Sequence, residues 1–360
     1  MAQGCSTLEK AGSSKSSSSV NMNHSAARFA ASDAAFRFEG RIDARDISSP
    51  VLIWQGSRVL VDFEGTELAL HFGAAKGVSF FDFEVDGDVS VIEVKESAEP
   101  VLIKYSKPLS TGRHRLRLFK RSEADAGYAA FRGIELASGA KVYAPELVPT
   151  KLALQFFGDS ITVGACDEDG TVDQWENRAT HNNALSYGAL TAKALSAGYR
   201  NVAVSGMGIV IGYVPKRAGE VWNRLYPEPG SPKSEERGWA PDVVFVNFGE
   251  NDDSFSKNQH MDFPAGFTDG YVALVQEMRK IYPQAEIVLL RGGMFGGAKS
   301  ETLRTAWEMA VQRLETTDGR VHHFVFQHWS ELHPRVTDHQ EMAKELVAWL
   351  KAQPFMQRFL

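Results

Sequence analysis

The hydrophobic pattern changes its period near residue 148, and this change constrains the fold more than any other feature. From about residue 36 to 147, apolar and polar residues alternate, as in "SRVLVDFEG" and "HRLRLFKR", with Gly, Asp, Ser and Pro clusters between the runs. A period of two puts every second side chain on the same face of a strand. The pattern therefore predicts an all-β, jelly-roll-like sandwich over residues 36–147.

Beyond residue 148, apolar runs alternate with segments of helical periodicity. The helical segments lie at about 184–197, 266–282, 300–316 and 338–352, and the apolar runs are "KLALQFFG", "YRNVAVSG", "PDVVFVNFG", "AEIVLLRGG" and "RVHHFVFQ". Nearly continuous Val, Leu, Ile and Phe runs are typical of strands that are buried on both faces. Residues 148–360 are therefore predicted to form an α/β domain with a doubly wound parallel sheet.

Composition and charge exclude several classes of function. The net charge of −6, without a block of Lys and Arg, argues against nucleic-acid binding, which depends on clustered basic residues. No stretch approaches the roughly 20 apolar residues that span a bilayer, so no transmembrane segment is expected. The two cysteines, Cys5 and Cys166, are too few for a disulfide framework or a cysteine-based metal cluster.

Residues 1–35 are predicted to be a disordered leader or tether, because the first 25 are rich in serine and nearly free of large apolar residues. Within them, "AQGCS" resembles the end of a bacterial lipoprotein signal, in which the cysteine becomes lipidated. This favours an exported protein, periplasmic or at the cell surface, with Cys5 as a candidate lipid anchor. A disordered leader on an intracellular protein is the alternative.

Four polar stretches follow the predicted parallel strands. Ser160 lies in "FFGDSITVG", Gly206 in "VAVSGMGI", Asn251 in "VNFGENDDS" and His333 in "SELHPRVTDH". Each alone has an ordinary explanation, such as a helix cap, a turn residue or an exposed loop histidine. Together, at the sheet edge where doubly wound folds bind ligands, they provide a nucleophile, a base and oxyanion donors. The predicted oxyanion hole consists of the Ser160 amide, the Gly206 amide and the Asn251 side chain.

These four stretches resemble the blocks of the SGNH (GDSL) hydrolase superfamily over about residues 152–352. The β-rich segment, with "FEGRID" and "WQGSRVLVDFEGTEL", resembles the companion domain of carbohydrate esterase family two. The resemblance implies a flavodoxin-like three-layer domain and an acetyl xylan esterase-like activity that removes O-acetyl groups from acetylated polysaccharide, without metal or other cofactor. The alternatives are an SGNH lipase or thioesterase that acts on other acyl esters, and a non-catalytic sugar-binding protein of the same fold.

The acid that should orient His333 is the least defined element of this pattern. The superfamily usually has Asp three residues before the histidine, where this chain has Ser330, and the esterase family has its acid two residues before, which is Glu331 here. We therefore expect either a triad with Glu331 or a Ser–His dyad. Asp159 and Trp329 are expected to contact the substrate. Further tryptophans that could stack on sugar rings are Trp175, Trp222 and Trp239.

Overall fold

The computed structural model describes residues 26–146, 149–236 and 238–359. Cys5 and most of the predicted leader lie outside the described residues. Among the helices that the structure describes, none has both the length and the apolar character needed to cross a bilayer.

The first part of the chain forms an antiparallel sheet. In the part that the structure describes, its strands are β1 (Ala27–Ala30), β2 (Arg37–Glu39), β3 (Ile42–Asp43), β4 (Val51–Leu52), β5 (Arg58–Glu64), β6 (Leu68–Val85), β7 (Asp88–Ser97), β8 (Val101–Lys104), β9 (Arg113–Lys120), β10 (Gly127–Leu136) and β11 (Lys141–Tyr143). Strand β1 pairs with β10, so the sheet begins earlier in the chain than the predicted start at residue 36.

The long strand β6 organises this sheet. Its first half pairs with β8 and β10, and its second half pairs with β7 and β9. The strands therefore wrap around one apolar interior, in which aromatic side chains are fully buried, including Phe63, Phe72, Phe81, Phe83 and Phe131. The alternation of "SRVLVDFEG" arises because every second side chain of β5 points into this core.

The second part of the chain is the predicted α/β unit. Its parallel strands are β12 (Ala153–Gly158), β13 (Gly198–Ala203), β14 (Val243–Asn247), β15 (Glu286–Met294) and β16 (Val321–Ser330), in the order β13-β12-β14-β15-β16. Its helices are α1 (Ser160–Val163), α2 (Tyr187–Ala194), α3 (Ala218–Val221), α4 (Glu250–Asn258), α5 (Phe267–Ile281), α6 (Phe295–Lys299), α7 (Glu301–Thr317) and α8 (Val336–Ala352). The prediction of a doubly wound three-layer domain behind a β-rich unit is confirmed.

Helices cover both faces of the parallel sheet. The core on one face includes side chains of α2 and α8, and the core on the other includes side chains of α5 and α7. The β-rich unit adds Ile53 and Trp54 to the second of these cores. The indole nitrogen of Trp54 also donates to the carbonyl of Leu225 at 2.8 Å. The two units therefore share one buried interface next to the sheet.

Candidate active site

Ser160 lies at the carboxyl end of strand β12, on a sharp turn into the one-turn helix α1. Asp159 is the N-cap of this helix, and its carboxylate accepts from the backbone N–H of Ile161 at 3.1 Å. Gly164, with φ of 80°, ends the helix after four residues. The short turn holds Ser160 at the strand edge, where the residue is only 4% exposed.

A cavity of about 430 Å³ opens above Ser160. It brings together the four predicted residues Ser160, Gly206, Asn251 and His333, which come from four different strand ends. The other residues that line it are Trp175, Ser205, Tyr213, Val214, Glu250, Ser254 and Met294. The structure therefore brings the four predicted residues together in one cavity.

Three nitrogen donors, the backbone amides of Ser160 and Gly206 and Nδ2 of Asn251, belong to residues that line the cavity. Gly206 has a positive φ of 77°, a conformation that favours glycine. Within the described residues, the backbone N–H groups of Ser160 and Gly206 have no hydrogen-bond acceptor. Nδ2 of Asn251 lies 3.2 Å from both the Asp159 carboxylate and the Met207 carbonyl. The two backbone amides can donate to an oxyanion as they stand, whereas Nδ2 of Asn251 already donates both of its protons and must release one acceptor to do so.

His333 is oriented by Asp173. Nδ1 of His333 donates to the Asp173 carboxylate at 2.6 Å, and Arg335 donates to the other carboxylate oxygen at 2.8 Å. Burial raises the pKa of Asp173, but the hydrogen bonds from His333 and Arg335 and the charge of His333 outweigh it and bring the pKa to about 2. The carboxylate therefore remains ionised, and Nε2 of His333 is left for the substrate side.

The nucleophile and the base share the cavity without a direct hydrogen bond. Among the hydrogen bonds of residues 26–146, 149–236 and 238–359, none joins Ser160 to His333. Such contacts are often long in the absence of substrate and tighten when it binds.

Glu331 does not occupy the predicted position. Its side chain is exposed, and the acceptor at Nδ1 of His333 is Asp173 instead. Glu331, in the loop that follows β16, is turned towards solvent, while the segment after α1 brings the Asp173 carboxylate to Nδ1 of His333. The geometry therefore replaces the predicted Glu331 by Asp173, and it also removes the need for a dyad held by a backbone carbonyl.

Asp159 and Trp329 are not among the residues that line the cavity. Asp159 is 1% exposed, and its carboxylate caps α1 and accepts from Asn251. It therefore holds α1 and Asn251 in position. Trp329 packs its ring against Phe295 and beneath the ammonium of Lys299. Of the four candidate tryptophans, the cavity contains Trp175, whose ring centroid lies 5.6 Å from that of His333.

Buried carboxyl groups support the walls of the cavity. Asp252 is fully buried and accepts from the backbone N–H groups of Ile209, Val210 and Ile211, which fixes the loop after Gly206. Glu250 accepts from two backbone N–H groups at the start of α6. Burial raises the pKa of Glu250 and, together with the charge of Glu250, raises that of Asp159 well above its ordinary value.

One group near the site has the composition of a metal site. The thiol of Cys166, the Asp173 carboxylate and the imidazole of His333 lie within 4.8 Å of one another. Both oxygens of the carboxylate already accept hydrogen bonds, from His333 and Arg335, and burial raises the pKa of the thiol. Cysteine binds a metal as the thiolate, and a carboxylate binds it through an oxygen that is not already engaged, so the arrangement fits acid–base catalysis better than metal binding.

Sequence reasoning missed Asp173 and did not single out Tyr213. Asp173 lies in the irregular segment between α1 and α2, where no hydrophobic period indicates which side chain turns inwards. The only available signal was the run of acidic residues in "CDEDGTVDQW", directly after the Ser160 block.

A doubly wound domain with serine, glycine, asparagine and histidine at one edge of its sheet is a hydrolase of the SGNH type. The chain belongs to the GDSL-like lipase/acylhydrolase family, whose model matches residues 156–347. Residues 38–145 match the carbohydrate esterase 2 N-terminal model. Both predicted resemblances are confirmed, and the class of enzyme, a carboxylic ester hydrolase, follows from them.

Curated relatives match most of the length of this chain. The chain is 30% identical over 324 residues to the cellulase/esterase CelE of Acetivibrio thermocellus, covering 87% of this chain but 39% of CelE. It is 27% identical over 342 residues to an acetylxylan esterase/glucomannan deacetylase of Cellvibrio japonicus, covering 86% of this chain and 93% of that protein.

A solved structure agrees with the same assignment. It is that of a family two carbohydrate esterase from Clostridium thermocellum in complex with cellohexaose. It has a TM-score of 0.78 and 29% identity to this chain, and the match covers 88% of this chain and 98% of that one.

Proposed function

We propose that the protein is a serine esterase that removes O-acetyl groups from acetylated polysaccharide or oligosaccharide. The observation that carries the proposal is a cavity that brings Ser160, Gly206 and Asn251 together with His333. The imidazole of His333 is in turn held by Asp173. The similarity to a cellulase/esterase and to two acetylxylan esterases/glucomannan deacetylases supports this class of substrate.

The proposed reaction begins when Nε2 of His333 takes the Ser160 proton and the hydroxyl attacks the acetyl carbonyl. The resulting oxyanion accepts from the backbone N–H groups of Ser160 and Gly206 and from Nδ2 of Asn251. The sugar oxygen then leaves with the proton from His333, which gives an acetyl-enzyme. A water molecule, deprotonated by His333, attacks this ester, and acetate and free Ser160 are released. Asp173 stabilises the imidazolium in both steps.

The test is acetate release from acetylated xylan, glucomannan and monosaccharide acetates by the wild-type protein and by Ser160→Ala. We expect hydrolysis by the wild type and none above background by the variant, because the covalent route is lost. A matched pair of 4-nitrophenyl esters, the acetate and the octanoate, distinguishes this function from that of a lipase or thioesterase. Faster turnover of the octanoate would contradict the proposal, as would full activity of Ser160→Ala.

We also propose that the protein is exported and that Cys5 carries a lipid anchor. The support is the "AQGCS" stretch and a polysaccharide substrate, which bacteria meet outside the cytoplasm. Growth with labelled palmitate should label the wild-type protein and leave Cys5→Ala unlabelled. Equal labelling of both proteins, or labelling of neither, would exclude the anchor.

A further inference from the structure

A buried glutamate of the β-rich unit reaches the active site of the other unit. Glu123, in the segment between β9 and β10, is only 2% exposed. One oxygen of its carboxylate accepts from the backbone N–H of Ser205 at 3.0 Å, and the other accepts from the guanidinium of Arg178 at 2.9 Å. A buried carboxylate needs such partners, because its charge is costly to remove from water.

The first of these bonds fixes the loop that carries the oxyanion donor Gly206. Ser205 directly precedes Gly206, and its N–H is held by Glu123. On the other side, the carbonyl of Gly206 accepts from the backbone N–H of Tyr213 at 2.8 Å. The Gly206 amide therefore lies between two anchored groups, and the anchor on its N-terminal side is supplied by Glu123. A small rotation of this peptide would turn its N–H away from the oxyanion position.

The second bond connects Glu123 with the opposite wall of the cavity. The guanidinium of Arg178 stacks on the indole of Trp175, with Cζ 4.2 Å from the ring centroid. Trp175 in turn packs beside the imidazole of His333. The Glu123 carboxylate therefore contacts the oxyanion loop directly and, through Arg178, supports Trp175 in the cavity wall beside His333.

The segment that carries Glu123 is itself firmly held. The ammonium of Lys120, which is fully buried, donates to the carbonyls of Ser122 and Glu123 at 2.7 and 3.1 Å. The backbone N–H of Ala124 donates to the side chain of Gln55 at 3.1 Å, and the amide of Gln55 donates to the carbonyl of Ala203 at the end of β13. The β-rich unit is therefore attached to β13 just before the oxyanion loop.

We propose that Glu123 is a positioning residue for ester hydrolysis, which makes the β-rich unit a structural part of the active site. This inference rests on the proposed function, because it assigns to Glu123 the placement of the Gly206 donor and of the Trp175 wall. Glu123 does not touch the substrate in this role. Its effect should appear in turnover more than in substrate binding.

The test compares Glu123→Gln with Glu236→Gln in the whole chain. Glutamine keeps the shape of Glu123 but presents an NH₂ group to either Ser205 or Arg178, both of which are donors. Glu236 is the matched control, because it also joins the two units, accepting from Arg41 at 2.6 Å and from Arg200 at 2.7 Å, but it does not line the catalytic cavity. The readouts are kcat and KM for 4-nitrophenyl acetate and the melting temperature, with Ser160→Ala as a separate arm.

For Glu123→Gln we expect kcat to fall by about 10-fold or more, with KM within about threefold of the wild type, as for the partial loss of an oxyanion donor. Glu236→Gln should lower the melting temperature and leave kcat unchanged. A Glu123→Gln protein with wild-type kcat, or an equal loss of kcat in Glu236→Gln, would overturn the positioning role. Activity that survives in Ser160→Ala would instead overturn the proposed function.

Arg178→Gln provides a second variant for the case in which Glu123→Gln does not fold. Arg178 lies closer to the surface, with 23% of its side chain exposed, so its replacement disturbs the core less. It removes the cation that joins Glu123 to Trp175. We expect kcat to fall by about 3–10-fold in the folded variant, and an unchanged kcat would count against the role of Glu123.

Discussion

The carboxylate of Asp173 lies 2.6 Å from Nδ1 of His333, although 160 residues separate the two in the chain. Asp173 follows the turn that carries the nucleophile, whereas His333 follows the last strand of the sheet. The acid of the site therefore comes from the Ser160 side of the fold and not from the residues just before the histidine.

Asp173→Asn should lower kcat by about 10²–10⁴-fold, because the amide no longer stabilises the imidazolium and can favour the wrong tautomer of His333. The matched control is Glu331→Gln, which changes an exposed carboxylate two residues before His333. It should keep kcat within about twofold of the wild type, as is usual for surface substitutions. Steady-state hydrolysis of 4-nitrophenyl acetate by both variants decides between the two acids. The opposite ranking would restore Glu331 as the orienting residue.

The difference between the predicted and the observed acid has a physical cause. Ser160, Gly206 and Asn251 each follow an apolar strand, and the parallel sheet forces such positions to one edge. The periodicity of the sequence is therefore enough to bring them together. Asp173 lies in a segment without regular structure, whose course depends on contacts with His333 and Arg335 from a distant part of the chain. No local pattern encodes these contacts.

In the β-rich unit, too, the strands could be predicted from the sequence but a contact between the units could not. Its alternating pattern predicts strands correctly, because one face of each strand is buried in a common core. The pattern does not predict that Glu123, in the turn after β9, contacts Ser205 of the α/β unit. This contact depends on how the two units pack together, which no local pattern encodes.

Asn251→Ala should lower turnover by roughly 10²–10³-fold, the usual effect of removing one oxyanion donor. The side chain also donates to Asp159 and to the Met207 carbonyl, so a modest loss of stability is expected as well. Kinetic constants for 4-nitrophenyl acetate and a thermal melt separate the two effects. A change in KM with an unchanged kcat would mean that Asn251 contacts the sugar and not the oxyanion.

Trp175→Ala should raise KM for acetylated xylo-oligosaccharides by about 3–10-fold, because an aromatic contact is typically worth about 0.5–1.5 kcal/mol. Trp329→Ala is the control, since Trp329 packs against Phe295 outside the cavity. It should leave KM unchanged. If Trp329→Ala raises KM and Trp175→Ala does not, the sugar binds along the edge of β16 and not over the Asp173 segment.

His339 makes the stability of the protein depend on pH. It is fully buried in α8, and its Nδ1 accepts from the backbone N–H of Tyr187 at 3.2 Å. Burial lowers the pKa of His339 to about 3 in the folded protein, whereas a histidine in the unfolded chain titrates near 6.5. Between these values the unfolded state binds more protons, so the free energy of unfolding rises with pH and falls on acidification.

From pH 7 to pH 5 this histidine alone should reduce the free energy of unfolding by about 2 kcal/mol. In His339→Gln that part of the pH dependence should disappear, even if the variant is less stable throughout. The control is His260→Asn, at an exposed position whose φ of 53° asparagine tolerates, and it should keep the wild-type dependence. Urea unfolding of the three proteins at pH 7, 6 and 5 measures the effect. An equal fall in His339→Gln and in the wild type would show that His339 does not remain neutral in the fold.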